Sequence, residues 1–393
     1  MHKRSQHVPH VAILIETSRT YGRGLLRGIR RYLSTQGPWS VFVELRALES
    51  KAPPWLRSWR GDGILTRTGS QAMLDSISAV NVPTVELRAA RLQHSFPFVG
   101  IDNQVLGKMV AEHFLERGFR HFAIYDLDTE PYFIERRESF LNTIKQAGYV
   151  VSVHSVPGHR ESPADWERHQ ELLIRWLKTL PKPVGLMAST DQLGFWLLDA
   201  CDRAGIAVPE EVAVVGGEND ETLCEVSRPP MSSVHPNAES IGFQAATLLE
   251  SMMAGAKPPT APILVPPLRI AVRQSSDIMA IDDSELVIAL RFIREHACKE
   301  ISVTDILQAV PVSRSTLERK MRQTLGRSPR AEILRLKLEH VKKLLQETDF
   351  TLDAIAQRTG FRHAQSLCER FRLELGLTPG DYRSRSRGDK ISE

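Results

Sequence analysis

Toward its C-terminal end the chain repeats itself at an offset of fifty residues. Leu317, Met321, Leu325, Gly326 and Pro329 return as Leu367, Phe371, Leu375, Gly376 and Pro379. A short segment of helical period precedes each copy, Val303–Ala309 in one and Leu352–Arg358 in the other. Each then breaks, at Val310-Pro311-Val312 and at Thr359-Gly360-Phe361. Pro311 cannot continue a helix, and Gly360 takes a positive φ at little cost. Ser313 suits the N-cap of the helix that follows, because its hydroxyl can accept an orphan backbone N–H. Helix, tight turn, helix, twice over, predicts two helix-turn-helix units joined by a helix over about 331–346. Their second helices could lie in successive major grooves of one duplex, about 34 Å apart. Leu317, Met321, Leu367 and Phe371 recur at helical spacing and read as core.

Charge sets this tail apart from the rest. Residues 311–387 carry 17 Lys and Arg against 9 Asp and Glu, a net of +8, whereas the 310 residues before them hold 33 against 36. A basic end on a mildly acidic body predicts that one part meets a polyanion and the other does not.

The body has a different grammar. From Val11 to about Arg273 short apolar runs alternate with stretches of helical period. Strands are expected at Val11–Glu16, Val41–Leu45, Gly63–Thr66, Thr84–Leu87, Val99–Asp102, His121–Asp126, Val151–Val156, Val184–Ser189 and Val212–Glu218. Helices are expected between them, over 24–33, 105–117, 135–146, 166–177, 192–203 and 239–253. This alternation calls for parallel sheets covered on both faces, and there are enough units for two lobes. The polar, turn-rich stretch 274–284 reads as a linker. The division is therefore an α/β body over 8–273, a linker over 274–284 and an all-α domain over 285–387.

Several classes are excluded. With 42% apolar and 25% charged residues the chain is globular. The apolar run Val11–Ile15 is far shorter than the ~20 residues that span a bilayer, and it lacks the build of a signal peptide. Cys201, Cys224, Cys298 and Cys368 fit no metal or redox spacing, and read as thiols of a reducing cytoplasm. Gly22-x-Gly24 and Gly28, with Glu44 beyond, mimic a dinucleotide fingerprint. However, five residues, Thr17 to Tyr21, separate the strand from the first glycine, where the fingerprint needs a tight turn directly at the strand end. No other catalytic pattern is present, so no catalytic residue, cofactor or metal is expected.

The tail resembles the AraC-type regulator domain through Ile355-Ala356, Gly360-Phe361, Phe371 and the run Gly376-Leu-Thr-Pro-Gly-Asp-Tyr-Arg383. The resemblance implies binding to double-stranded operator DNA. It places Arg314, Ser315, Glu318 and Arg319 of the first unit, and His363, Ala364, Gln365 and Glu369 of the second, toward the groove. Arg, Gln and Glu suit guanine, adenine and cytosine edges respectively. Arg370 and Arg372, with Arg327 and Arg330, suit phosphates.

The body resembles the periplasmic-binding-protein-like (type I) sensor of LacI-type regulators. The resemblance runs through Val99-Gly-Ile-Asp-Asn103, Glu112–Ala123, Arg137-Glu-Ser-Phe140, Ala188-Ser-Thr-Asp191, Val208–Gly217 and Ser232-Ser-Val234. It implies a small sugar held between two lobes. Charged side chains at strand ends and an aromatic face supply the chemistry a sugar needs. The implied ligand residues are Tyr21, Ser18, Asp102, Arg137, Asp191 and Glu218. Thr190 stands where the family commonly has Asn, and Glu218 where it usually has Asp. Trp39, Trp166, Trp176 and Trp196 read as packing.

A sensor followed by an AraC-type domain is similar to sugar-responsive regulators of D-xylose use. That likeness implies a cytoplasmic homodimeric activator with xylose as effector and RNA polymerase as a further partner. A different sugar or small ligand, or an enzyme built on the α/β body, are the alternatives.

Overall fold

A computed structural model describes residues 8–47, 50–88, 92, 95–127, 130–156, 166–278, 280 and 283–387. The chain divides after Asp277 into two compact units.

The first unit has two lobes. The first lobe begins with β1 (His10–Leu14), α1 (Thr20–Gln36), β2 (Ser40–Val43), β3 (Gly63–Thr66), α2 (Gln71–Ser78), β4 (Thr84–Glu86) and β5 (Val99–Ile101). The second follows with α3 (Asn103–Glu116), β6 (His121–Leu127), α4 (Pro131–Gln146), β7 (Val151–Val156) and α5 (Trp166–Thr179). It continues through β8 (Val184–Ala188), α6 (Asp191–Ala204), β9 (Val212–Gly216), α7 (Glu221–Val226) and β10 (Ser232–His235). The chain returns to the first lobe for α8 (Ala238–Met253) and β11 (Ile263–Val265), then closes the second with β12 (Arg269–Ala271).

One sheet runs β2-β1-β3-β4 in parallel, and the parallel pair β5–β11 adjoins it through the Glu86–Phe98 bridge. The other runs β12-β10-β9-β8-β6-β7, parallel except for the antiparallel edge strand β12. Val11 to Leu14 are all buried, as expected of a parallel strand covered on both faces. The chain crosses between lobes three times, after β5, β10 and β11, so three segments connect them.

The glycines that mimic a nucleotide fingerprint serve packing. α1 lies against α8 so closely that a Cβ on Gly28 would stand 2.0 Å from the Glu239 carbonyl oxygen. One on Gly242 would stand 2.1 Å from that of Leu25. Glu44, the acid that completed the pattern, accepts the Trp55 indole N–H at 2.6 Å.

The expected linker begins too early. Ser275 and Ser276 are fully buried in the first unit. Ser275 Oγ donates to the Val214 carbonyl at 2.7 Å, and Ser276 Oγ bonds Ser232 Oγ at 2.8 Å. Polar composition suggested a linker, but these hydroxyls are satisfied inside the sheet edge. Positions 279, 281 and 282 of that stretch lie outside the described residues.

The second unit is all helical: α9 (Ser284–His296), α10 (Val303–Ala309), α11 (Arg314–Leu325), α12 (Pro329–Glu347), α13 (Leu352–Arg358), α14 (Ala364–Leu375) and α15 (Pro379–Arg387). Helices α10–α11 and α13–α14 are the two repeats, and α12 joins them. Ser313 caps α11 by accepting the Thr316 N–H at 3.2 Å. Gly326 and Gly376 end α11 and α14 in the left-handed region. Leu317, Met321, Leu367 and Phe371 are all buried, the last two in a cluster with Val341, Leu345 and Ile355. Gly360 turns the second unit at φ +68°, and a Cβ there would meet the Cys298 and Lys299 carbonyl oxygens at 2.8 Å.

Candidate ligand cleft and nucleic-acid interface

In open parallel sheets, ligands bind beyond the carboxyl ends of the strands. Those ends face each other across the two lobes and border an open cleft with about 50 Å³ of cavity space. Its walls include Arg19 and Tyr21 after β1, Arg67 after β3, Leu87 and Arg88 after β4, and Asn103 after β5. The second lobe contributes Tyr132 and Arg136 from the first turns of α4, and Gly217 and Glu218 after β9.

The charges are arranged in pairs. Arg67 is ion-paired to fully buried Glu16, and Arg88 Nη2 reaches Glu130 Oε1 at 3.0 Å. Burial pulls the Arg67 guanidinium down to about 10, against the nearby carboxylates of Glu218 and Glu86. Arg136, 4% exposed, donates from Nε to Asn103 Oδ1 at 2.8 Å and from Nη1 to the Ser189 carbonyl at 2.7 Å. Arg67 lies over the Tyr21 ring at 4.8 Å and Arg136 over Tyr132 at 5.3 Å. Burial raises both tyrosine hydroxyls, so both remain protonated donors.

Of the six expected ligand residues, Tyr21 and Glu218 line this cleft. The other four stand elsewhere. Ser18 is exposed on the loop before α1. Asp102 caps α3, accepting the Val105 N–H at 2.9 Å. Arg137 is bonded to buried Asp126 at 3.0 Å and does not reach the cleft. Successive residues on a helix point ~100° apart, so the one-residue step from Arg136 to Arg137 turns the side chain away from the ligand space.

Asp191 is fully buried and accepts the Glu218 N–H at 3.2 Å, the Asp220 N–H at 2.6 Å and the Ser233 hydroxyl. It therefore clamps the loop that presents Glu218. Burial, then the Glu218 charge, pushes its carboxyl up to about 6. Thr190 is the N-cap of α6, with its hydroxyl accepting the Leu193 N–H at 3.2 Å.

Arg67, Arg88, Asn103, Tyr132 and Arg136 escape the sequence reading. A usable signal exists for three of them: Arg67, Arg88 and Asn103 fall within two residues of a strand's end. The tryptophans pack as expected. Trp39 is buried and donates to Glu250, while Trp166, Trp176 and Trp196 sit among the aromatic side chains of the second lobe.

In the second unit the expected DNA-facing positions are accessible. Arg314, Ser315, Arg319, His363, Gln365, Glu369, Arg370 and Arg372 are exposed, and Glu318 and Ala364 are half-buried. Within α11, Arg314 Nε pairs with Glu318 at 3.3 Å; within α14, Gln365 Nε2 donates to Glu369 at 3.0 Å. Arg327, considered for a phosphate, is instead tied to Glu332 at 2.5 Å, with Arg335 at 2.8 Å on the same carboxylate. Burial opposes the Glu332 charge, but Arg335, Arg327 and Arg294 hold its carboxyl below the ordinary range. Among the described residues no cluster suits a metal ion, and no helix is long and apolar enough to cross a membrane.

A two-lobed cleft of this kind and tandem helix-turn-helix units define a sugar-sensing transcription regulator. Residues 111–276 match the periplasmic binding protein-like domain family, and residues 306–385 match a helix-turn-helix domain family. The xylose operon regulatory protein of Haemophilus influenzae is 31% identical over 381 residues, 95% of this chain and 97% of that protein. That of Escherichia coli K12 is 32% identical over 383 residues, 95% and 96% of the two chains. The solved structure of a xylose-binding transcription activator superposes with a TM-score of 0.80 at 29% identity, covering 97% of this chain and 99% of that one. The chain belongs to the family of xylose operon regulatory proteins.

Proposed function

We propose that D-xylose, bound in the cleft, controls how this chain occupies operator DNA, and that it acts as a transcription activator. The observation that carries the effector class is the charge pairing. Of the four cleft arginines, Arg67 and Arg88 are matched by Glu16 and Glu130, and Glu218 stands in the wall itself. A site so nearly balanced suits an uncharged polyol, whose hydroxyls accept from guanidinium N–H groups and donate to carboxylate. Tyr21 and Tyr132 offer ring faces for its C–H surface. The names of the relatives support xylose and, for the solved structure, activation.

The contact set is Tyr21, Arg67, Arg88, Asn103, Tyr132, Arg136 and Glu218, with Asp191 and Asp126–Arg137 as braces behind it. Arg314, Ser315, Glu318, Arg319, His363, Ala364, Gln365 and Glu369 read bases, while Arg370 and Arg372 hold phosphates. The regulator works as a homodimer in the cytoplasm and engages RNA polymerase, in keeping with activation. Calorimetric titration of the full chain with D-xylose should show saturable binding that exceeds that of other pentoses and hexoses. Absence of heat with xylose alongside binding of another sugar would reassign the effector.

A further inference from the structure

We propose that the Arg88–Glu130 ion pair is an interlobe latch, holding the cleft shut independently of the sugar and slowing the sugar's escape. Arg88 belongs to the first lobe, directly after β4, and Glu130 to the second, at the head of α4. The Arg67–Glu16 and Arg137–Asp126 pairs each stay within one lobe, whereas this one spans two. Its side chains are 10% exposed on each side, so opening the cleft means either rehydrating the pair or leaving a charge stranded.

Both ends are anchored. The Arg88 backbone N–H donates to Glu86 Oε1 at 3.0 Å, and Arg88 Nη1 to the Thr68 carbonyl at 3.2 Å. Glu86, itself buried, also accepts the Thr68 N–H at 3.0 Å and the Leu87 N–H at 3.1 Å, which fixes the segment carrying Arg88. On the other side the Glu130 carbonyl accepts the Phe133 N–H at 3.1 Å and so opens α4. That helix carries Tyr132 and Arg136 into the cleft. A pull on Glu130 is thus a pull on two cleft walls.

The second half of this proposal rests on the sugar reading; the first does not. Glu130 is not part of the cleft lining, so E130Q reports on closure rather than on lost ligand contact. Spin labels at exposed positions 75 and 171, one per lobe, would give the interlobe distance distribution of the ligand-free full chain. E130Q should broaden it toward longer distances, and the charge reversal R88E/E130R should restore the wild-type distribution. Xylose should leave E130Q roughly 10-fold faster, with its association rate little changed. Identical distance distributions in wild type and E130Q would overturn the latch. Wild-type protein that fails to bind xylose would remove the sugar reading, while the distance measurement still decides on the latch.

Discussion

The two units solve recognition in opposite ways. In the sensor, the charged groups that line the cleft are held by partners brought from distant parts of the chain, Arg136 buried and Arg67 and Glu218 half-buried. Arg136 answers to Asn103 and Ser189, Arg67 to Glu16, and Glu218 to the brace of Asp191. In the tail, Arg314 and Gln365 are exposed and bonded to a neighbour one turn along the same helix. The first arrangement is preorganised and suits a small uncharged ligand. The second leaves its side chains solvated, as suits contact with a polyanion.

The largest effects should therefore come from the sensor. R136M removes charge-assisted hydrogen bonds worth about 1.5–3 kcal/mol each, so sugar affinity should fall roughly 100-fold in calorimetry. R137M, one residue on, should cost sugar affinity about 3-fold at most, because Arg137 pairs with buried Asp126, which keeps the Ser155 hydroxyl as a donor, rather than lining the cleft. Equal losses from the two would break the contrast.

In the tail, R314A or Q365A should cost about 1–3 kcal/mol of operator affinity and relax preference at one base position. R370A should weaken binding to all sequences alike and reduce the salt slope by about 1. G360A tests the turn itself. Its positive φ and the two carbonyls in reach of a Cβ should cost the DNA-binding unit about 1–3 kcal/mol, read by thermal melting.

The smallest effect concerns Glu86, behind the cleft. Burial raises its carboxyl to about 7 from an ordinary 4.5, despite the hydrogen bonds of Thr68, Arg88 and Leu87 that lower it. A raised folded pKa gives a contribution to stability that is full below 4.5 and is lost as pH rises through about 7. The melting temperature of wild type relative to E86Q should therefore fall between pH 5 and 8.

How far each unit could be read in advance follows from the same contrast. The tail's signals are local in sequence: Ser313 caps its own helix, Gly360 turns the chain where it stands, and Leu317 and Phe371 keep helical spacing, although Phe371 packs on Val341 and Leu345 of another helix. The strands of the body were legible because covered parallel strands are continuous apolar runs, as at Val11–Leu14. The cleft was not, because it is an intersection of strand ends from seven segments, and no spacing along the chain encodes it. Tyr21 and Glu218, expected through family likeness, do line it. Arg137 lies one helical step from the cleft-lining Arg136, and buried Asp191 braces the loop behind the cleft; a brace and a ligand residue share the same chemistry.

The most direct test is the affinity of the full chain for a duplex it has itself selected from a random library, measured with and without saturating D-xylose. The sugar should shift that affinity by at least ~5-fold, and R136M should abolish the shift while keeping basal binding. An affinity that xylose leaves unchanged in the wild-type protein would contradict the account.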